Sequence, residues 1–214
     1  MDYDAQRTKD ELVDGWCWTF ASPQDHIYHD TEWGVPVHDD THMFEHLSME
    51  CLQCGLSWNT ILLKRPILRE CFAGFDIDAV AAFGEQDIER ILATPGMLRS
   101  ERKVRAIVGN ARAAQRLREE FGSFNAYFWG WTDGKTVLYK GHEKGGIPAK
   151  NLLSERMAKD LKRRGFSFVG PTNVYAHLQA CGIICDHNER CPRYAYISKE
   201  FPCVSMERDE GDRP

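Results

Sequence analysis

Residues 87–117 read DIERILATPGMLRSERKVRAIVGNARAAQRL. Asp87 to Leu92 is helical in pattern and Pro95-Gly96 turns the chain. Glu101 to Leu117 then restarts a helix with Val104, Ile107, Val108 and Ala111 inward. Helix, glycine turn, basic helix is the outline of a helix-hairpin-helix. In such a turn the backbone N–H groups opening the second helix can hold a DNA phosphate, helped by the helix dipole. Gly96, Arg102 and Lys103 stand where that contact would be made. The plain reading of Gly96 is a glycine that merely ends the first helix. Charge bears on the choice. Residues 99–118 hold seven Lys/Arg against Glu101 alone, although the whole chain carries −5. Phosphates feel the local field rather than the total. The alternative is a solvated helix face.

Upstream of this hairpin, Met43, Phe44, Leu47 and Cys51 predict a helix from about Asp40 to Cys54. Ser57 reads as the N-cap of a short helix carrying Trp58, Ile61 and Leu62, until Arg65-Pro66 interrupts it. Another short helix follows, and then Asp76 caps Ile77-Val80-Phe83. Downstream, residues 125–150 read as a hairpin or a long loop. Ser154 opens a helix through Met157 and Leu161 that ends in Lys162-Arg163-Arg164-Gly165. Pro171-Thr172 opens a last one through Tyr175 and Leu178 to Gly182. Credible strands are nearly absent. The expected fold is all-α: one helical domain over residues 15–198, with a polar tail at 1–14 and a C-terminal tail at 199–214.

The chain has 214 residues, 43% of them hydrophobic, enough to bury a sizeable core. No apolar run approaches the ~20 residues that span a bilayer, and the acidic N-terminus is unlike a signal peptide. Eight cysteines without an export signal point to a reducing cytoplasm, where thiols and metal ligands outnumber disulfides.

Four of the candidate ligands sit at opposite ends of the chain. Cys17-x11-His29 and His187-x3-Cys191 together offer two thiolates and two imidazoles, a set that suits tetrahedral zinc. Spacing alone leaves rivals open: a local site from Cys181, Cys185, His187 and Cys191, the series His38, His42, His46, and the redox-like Cys51-x-x-Cys54. Plain readings also stand beside them, with buried cysteines acting as small apolar residues and the three histidines on an exposed helix face. Glu50 lies among Leu47, Met49, Cys51 and Leu52. It is either exposed, paired with Arg65, or buried beside aromatic residues such as Tyr28, Trp33 and Trp58. In the last case a desolvated carboxylate and ring faces would together favour a cationic aromatic ligand.

Five segments carry a family resemblance: Tyr28-His-Asp-Thr-Glu-Trp-Gly-Val-Pro36, Gly55-Leu-Ser-Trp58, Ile107-Val-Gly-Asn-Ala111, Lys162-Arg-Arg-Gly-Phe-Ser-Phe-Val-Gly170 and Gln179-Ala-Cys-Gly-x5-His187. Together they resemble the 3-methyladenine DNA glycosylase I family, in its order, over residues 17–191. The resemblance implies a helix-hairpin-helix DNA glycosylase: a helical bundle that flips 3-methyladenine out of alkylated double-stranded DNA and hydrolyses its glycosidic bond. Free 3-methyladenine is then the product. A cytoplasmic monomer with no membrane partner is expected.

Carried over position by position, the family's structural zinc ligands fall on Cys17, His29, His187 and Cys191. Its base-binding glutamate falls on Glu50 and its pocket aromatics on Trp18, Tyr28, Trp33 and Trp58. Its hairpin covers roughly Ile88 to Val108, and Leu56 matches the residue that fills the gap left by the extruded nucleotide. The chain has no Asp between residues 88 and 132, where most of the wider superfamily keeps one to assist water. It also departs from the family in having Leu52 and Cys54 where glutamine and alanine are usual, and Asp25 in place of a common tyrosine. The competing expectation is a zinc-stabilised DNA-binding module without chemistry, which would bind DNA with a salt slope and release no base.

Overall fold

The computed structural model describes residues 17–140 and 146–207; the predicted tail at 1–14 lies outside them. Helix α1 (Pro23–Thr31) is capped by Ser22, whose hydroxyl accepts from Asp25 N. Helix α2 (Asp40–Gln53) is capped by Asp39 and is buried along most of its length, with Met43, Phe44, Leu47, Met49, Cys51 and Leu52 all in the core. It is the axis of the domain. Helix α3 (Trp58–Cys71), capped by Ser57, packs against both.

The expected break at Arg65-Pro66 does not occur, since α3 runs on to Cys71. Proline removes one backbone hydrogen bond from a helix interior. Here that loss is offset on both sides. Ile61, Leu62 and Leu68 are buried, and Arg65 is clamped by Glu45 and Glu32.

Helix α4 (Ile77–Ala81), capped by Asp76, and helix α5 (Glu85–Ala93) follow. A turn with Gly96 at φ +82° leads into α6 (Glu101–Phe121), which packs on α4 and α5 through Val104, Ile107, Val108 and Ala111. Helices α7 (Phe124–Trp129), α8 (Leu152–Arg163), α9 (Pro171–Ala180) and α10 (Pro192–Glu200) complete the helical part.

The all-α expectation needs correction. Strands β1 (Thr136–Lys140), β2 (Ile184–Cys185) and β3 (Cys203–Glu207) form a parallel sheet in the order β2-β1-β3. Part of the segment read as a hairpin or loop is therefore the middle strand. Part of the expected C-terminal tail pairs with it, from Thr136↔Cys203 to Lys140↔Glu207. These strands are too short to show alternation, and parallel partners come from far along the chain, so no local pattern announces them.

The two chain ends meet at a tight crossing. Gly34 N donates to Gln179 O at 2.9 Å and Val37 N to Cys181 O at 3.0 Å. Gly182, at φ +68°, lies so close that a Cβ there would stand 2.4 Å from Pro36 N. This contact carries the His29 segment to the His187 segment. Among the described residues no helix is long and apolar enough to cross a membrane.

Candidate active site and metal centre

At that junction the ligand atoms of Cys17, His29, His187 and Cys191 all lie within 4.8 Å of one another. Cys17 Sγ and Cys191 Sγ are each 3.5 Å from His187 Nδ1, and Cys191 Sγ is 3.8 Å from His29 Nε2. A tetrahedral zinc with bonds of about 2.3 Å to sulfur and about 2.0 Å to nitrogen gives S···N edges of about 3.5 Å. Both histidines are oriented by hydrogen bonds. His29 Nδ1 lies 2.7 Å from Asp30 Oδ1, and His187 Nε2 donates to Trp33 O at 2.8 Å, so each turns its other nitrogen to the cluster. The hydrogen bond from Cys17, then those from His187 and His29, hold the Cys191 thiol far below its ordinary range.

The rivals separate. Cys181 sits 3.7 Å from His177 Nδ1 inside the core, and Cys185 is in β2; neither joins the four. The thiol of Cys51 is buried against Ser167 O and Phe168 O, and burial pushes its pKa up, so Cys51 is no ready thiolate for a redox pair. Of the histidine series, His38 and His42 are exposed and only His46 is buried. Glu32, His42 and His46 bring ligand atoms within 4.8 Å of one another, but Glu32 is already held by Arg65 at 2.7 Å.

The aromatic residues divide into two groups. Trp33 packs on His187 and Trp18, with ring centroids 4.5 and 4.6 Å apart, and Trp18 packs on His29. Both tryptophans therefore wall the four-ligand cluster. Asp25, one of the departures from the family pattern, accepts from Trp18 Nε1 at 3.2 Å and fixes it there. Tyr28 instead meets Trp58, with centroids 5.1 Å apart.

Glu50 belongs with this second pair. It is buried at 4% exposure, and desolvation raises its carboxyl to about 8. Burial, and then the charge of Glu50, push the Tyr28 hydroxyl well above its usual range. No described side chain hydrogen-bonds or ion-pairs with the Glu50 carboxylate, and the buried Nε1–H of Trp58 has no acceptor among the described residues. A carboxyl and a phenol that form no side-chain hydrogen bond among the described residues thus lie near an indole N–H buried without an acceptor, with His46 beside Tyr28. Unpaired buried polar groups cost about 1–3 kcal/mol each, so such a cluster calls for a ligand.

The predicted DNA-facing residues are mixed. Leu56 is exposed on the loop between α2 and α3, beside Gly55 at φ +81°. Gly96 is exposed at its turn and Arg102 is exposed in the first turn of α6. Lys103 instead faces inward, where its Nζ donates to Leu52 O at 2.7 Å and Cys54 O at 2.6 Å, closing the C-terminus of α2. Several stripe cations are also used internally. Arg105 pairs with Glu85 and Glu101, Arg112 donates to Ala81 O and Phe83 O, and Arg118 pairs with Asp78.

Against known proteins, the family model for methyladenine glycosylase matches residues 16–194. DNA-3-methyladenine glycosylase 1 of Escherichia coli (strain K12) is 39% identical over 177 residues, 83% of this chain and 95% of that one. The chain belongs to the methyladenine glycosylase family. Its backbone is similar to the crystal structure of a 3-methyladenine DNA glycosylase I, with a TM-score of 0.76 at 41% identity, covering 82% of this chain and 96% of that one. It is likewise similar to the Staphylococcus aureus 3-methyladenine DNA glycosylase I solved for the structural basis of 3-methyladenine recognition. There the TM-score is 0.77 at 33% identity, covering 81% and 92%.

Within this methyladenine glycosylase, sequence reasoning missed what keeps Glu50 free. Glu45 takes Arg65 and Arg69, at 2.8 and 2.6 Å, and their hydrogen bonds overcome its desolvation to hold its carboxyl down at about 2. Glu45 and Glu50 stand five residues apart on one helix and face different neighbours. The signal available in the sequence was Arg65-x3-Arg69 at helical spacing, which demands a shared acid.

Proposed function

We propose that this chain hydrolyses the N-glycosidic bond of 3-methyladenine in alkylated DNA, the first step of base excision repair, as the names of its relatives say of them. The observation that carries the reading is the buried, unpartnered Glu50 carboxyl beside Tyr28 and Trp58.

A base inside a duplex is out of reach, so the nucleotide is extruded at a cost of a few kcal/mol, with Leu56 filling the gap it leaves. Methylation at N3 puts positive charge on the adenine and weakens its bond to C1′. When that bond breaks, its electron pair passes to the base and cancels the charge. Water supplies a hydroxyl to C1′ and releases a proton. Little acid catalysis is needed because the leaving base is already cationic, and with no Asp between residues 88 and 132 the attack of water relies on that activated leaving group. Glu50 accepts hydrogen bonds from the base edge and is more anionic when a cationic base faces it. Trp58 stacks on the base face and Tyr28 closes the pocket. Neutral adenine forfeits the charge interaction, the source of selectivity.

The α5–turn–α6 segment serves as the helix-hairpin-helix, with Gly96 and the N-terminus of α6 at a backbone phosphate. Zinc fits the four-ligand cluster by donor type, by edge length and by the oriented histidines. Four protein ligands leave no open position, so it would cross-link the chain ends and take no part in the reaction.

Incubating the protein with methylated duplex DNA and chromatographing the free bases tests the reading. Release of 3-methyladenine, suppressed in Glu50→Gln, is the expected result. DNA binding without any released base would leave only a binding module.

A further inference from the structure

Beside the first turn of α6 lies a cleft of about 680 Å³ lined by Arg102, Arg105, Lys162, Ser167, Phe168 and Gly170, among others. Its three cations differ in one respect. Arg105 is neutralised by Glu85 and Glu101 at 2.6–2.8 Å, whereas Arg102 and Lys162 have no carboxylate partner among the described residues. Of the other cations on and beside these two helices, Arg118, Arg163 and Arg164 are in ion pairs, and Lys103, Arg112 and Arg116 donate to backbone carbonyls. Arg156 and Lys159 also lack a carboxylate partner among the described residues but do not line the cleft. The Arg102 guanidinium lies over the Phe168 ring, 4.9 Å from its centroid, which steers it along the cleft wall without discharging it.

The wall is rigid. Ser167 N donates to Asn110 Oδ1 at 2.8 Å and Asn110 Nδ2 returns to Ser167 O at 3.0 Å, leaving the exposed Ser167 side chain at the cleft. Phe168 itself sits at φ +57°, a strained conformation for a bulky residue, pinned by Asn173 Nδ2 on its carbonyl at 2.8 Å. The same Asn173 amide reaches Cys54 Sγ at 3.0 Å, and Lys103 holds Cys54 O. The cleft is thereby tied to the loop that presents Leu56.

We propose that this cleft is a second DNA-backbone seat, in which Arg102 and Lys162 bind a phosphodiester on the strand that Leu56 enters, with the Ser167 hydroxyl as a further donor. The assignment rests on the glycosylase reading and adds Lys162, Ser167 and Phe168 to the DNA surface. It places a phosphate clamp along the first turns of α6, between them and the 162–170 segment. One strand would then be gripped at two points with the wedge residue nearby, a geometry that resists sliding while the nucleotide is out.

The test is the salt dependence of binding to undamaged duplex DNA, read by fluorescence anisotropy. Wild type is compared with Arg102→Ala, Lys162→Ala, the double variant, and Lys135→Ala as an exposed cation at the start of β1. Each cleft substitution is expected to reduce the slope of log affinity against log salt by about one, and the pair by about two. Lys135→Ala should leave the slope unchanged. Thermal melts of each variant separate misfolding from lost contacts. A double variant with the wild-type slope, or a Lys135→Ala loss equal to that of Lys162→Ala, overturns the clamp. If base release from methylated DNA persists in that case, the glycosylase reading stands alone. A wild type that neither releases base nor binds with a salt slope removes both.

Discussion

Arg65 lies against Glu45, with Nε 2.8 Å from Oε1, and not against Glu50. This pairing leaves one acid on α2 charged and inert and the other buried, unpaired and raised to about 8. Arg65→Ala would leave Glu45 with Arg69 alone and Glu32 without its arginine, a loss of about 1–3 kcal/mol in stability that a denaturant titration would read.

The pH dependence of stability follows for Glu50. Its folded-state pKa is about 8 against an ordinary 4.5, so between those values the folded chain holds a proton that the unfolded chain has released. Stability therefore suffers no loss below about pH 4.5 and falls as pH climbs to 8, by a few kcal/mol. Glu50→Gln should raise Tm at pH 8.5 by roughly 5 °C or more and change little at pH 4. An equal shift at both pH values in calorimetry would show that Glu50 titrates normally.

Stacking and closure should be separable. Trp58→Ala is expected to lower kcat/KM for 3-methyladenine release by about 10- to 100-fold, the loss of one base–aromatic stack. Tyr28→Phe keeps the ring contact with Trp58 and removes only the hydroxyl, so its effect should be smaller. A Tyr28→Phe loss exceeding that of Trp58→Ala would reverse the proposed roles.

Metal content should be one zinc per chain. Cys17→Ser and His187→Ala are each expected to lose it and to lower Tm by roughly 10 °C or more, while Cys185→Ser retains it. Elemental analysis with parallel melts decides. Retention of zinc in Cys17→Ser, or its loss in Cys185→Ser, would return the ion to the local cysteine cluster.

Gly182→Ala should be among the most damaging single-methyl changes. The added Cβ would meet backbone at 2.4 Å and sit at φ +68°. The expected loss exceeds about 4 kcal/mol, readable as a collapse of soluble yield or of Tm. Ordinary stability in this variant would mean that the crossing of the two chain ends is looser than described.

Much of this protein is legible in its sequence. Caps at Ser57 and Asp76, the periodic faces of α2 and α6, and the turn at Gly96 are local signals, because a helix satisfies its backbone within its own segment. The four zinc candidates were nameable from their residue types and, with the family pattern, as one set. Other features belonged to the tertiary structure alone. The parallel sheet joins residues with no common local pattern, and Lys103 turns inward because the end of α2 happens to stop beside it. The choice between Glu45 and Glu50 as the free acid depends on which one Arg65 reaches across the core. A sequence fixes which groups a segment offers; the partner that neutralises a charge is set by distance in the folded chain, and Coulomb energy and desolvation both depend on that distance.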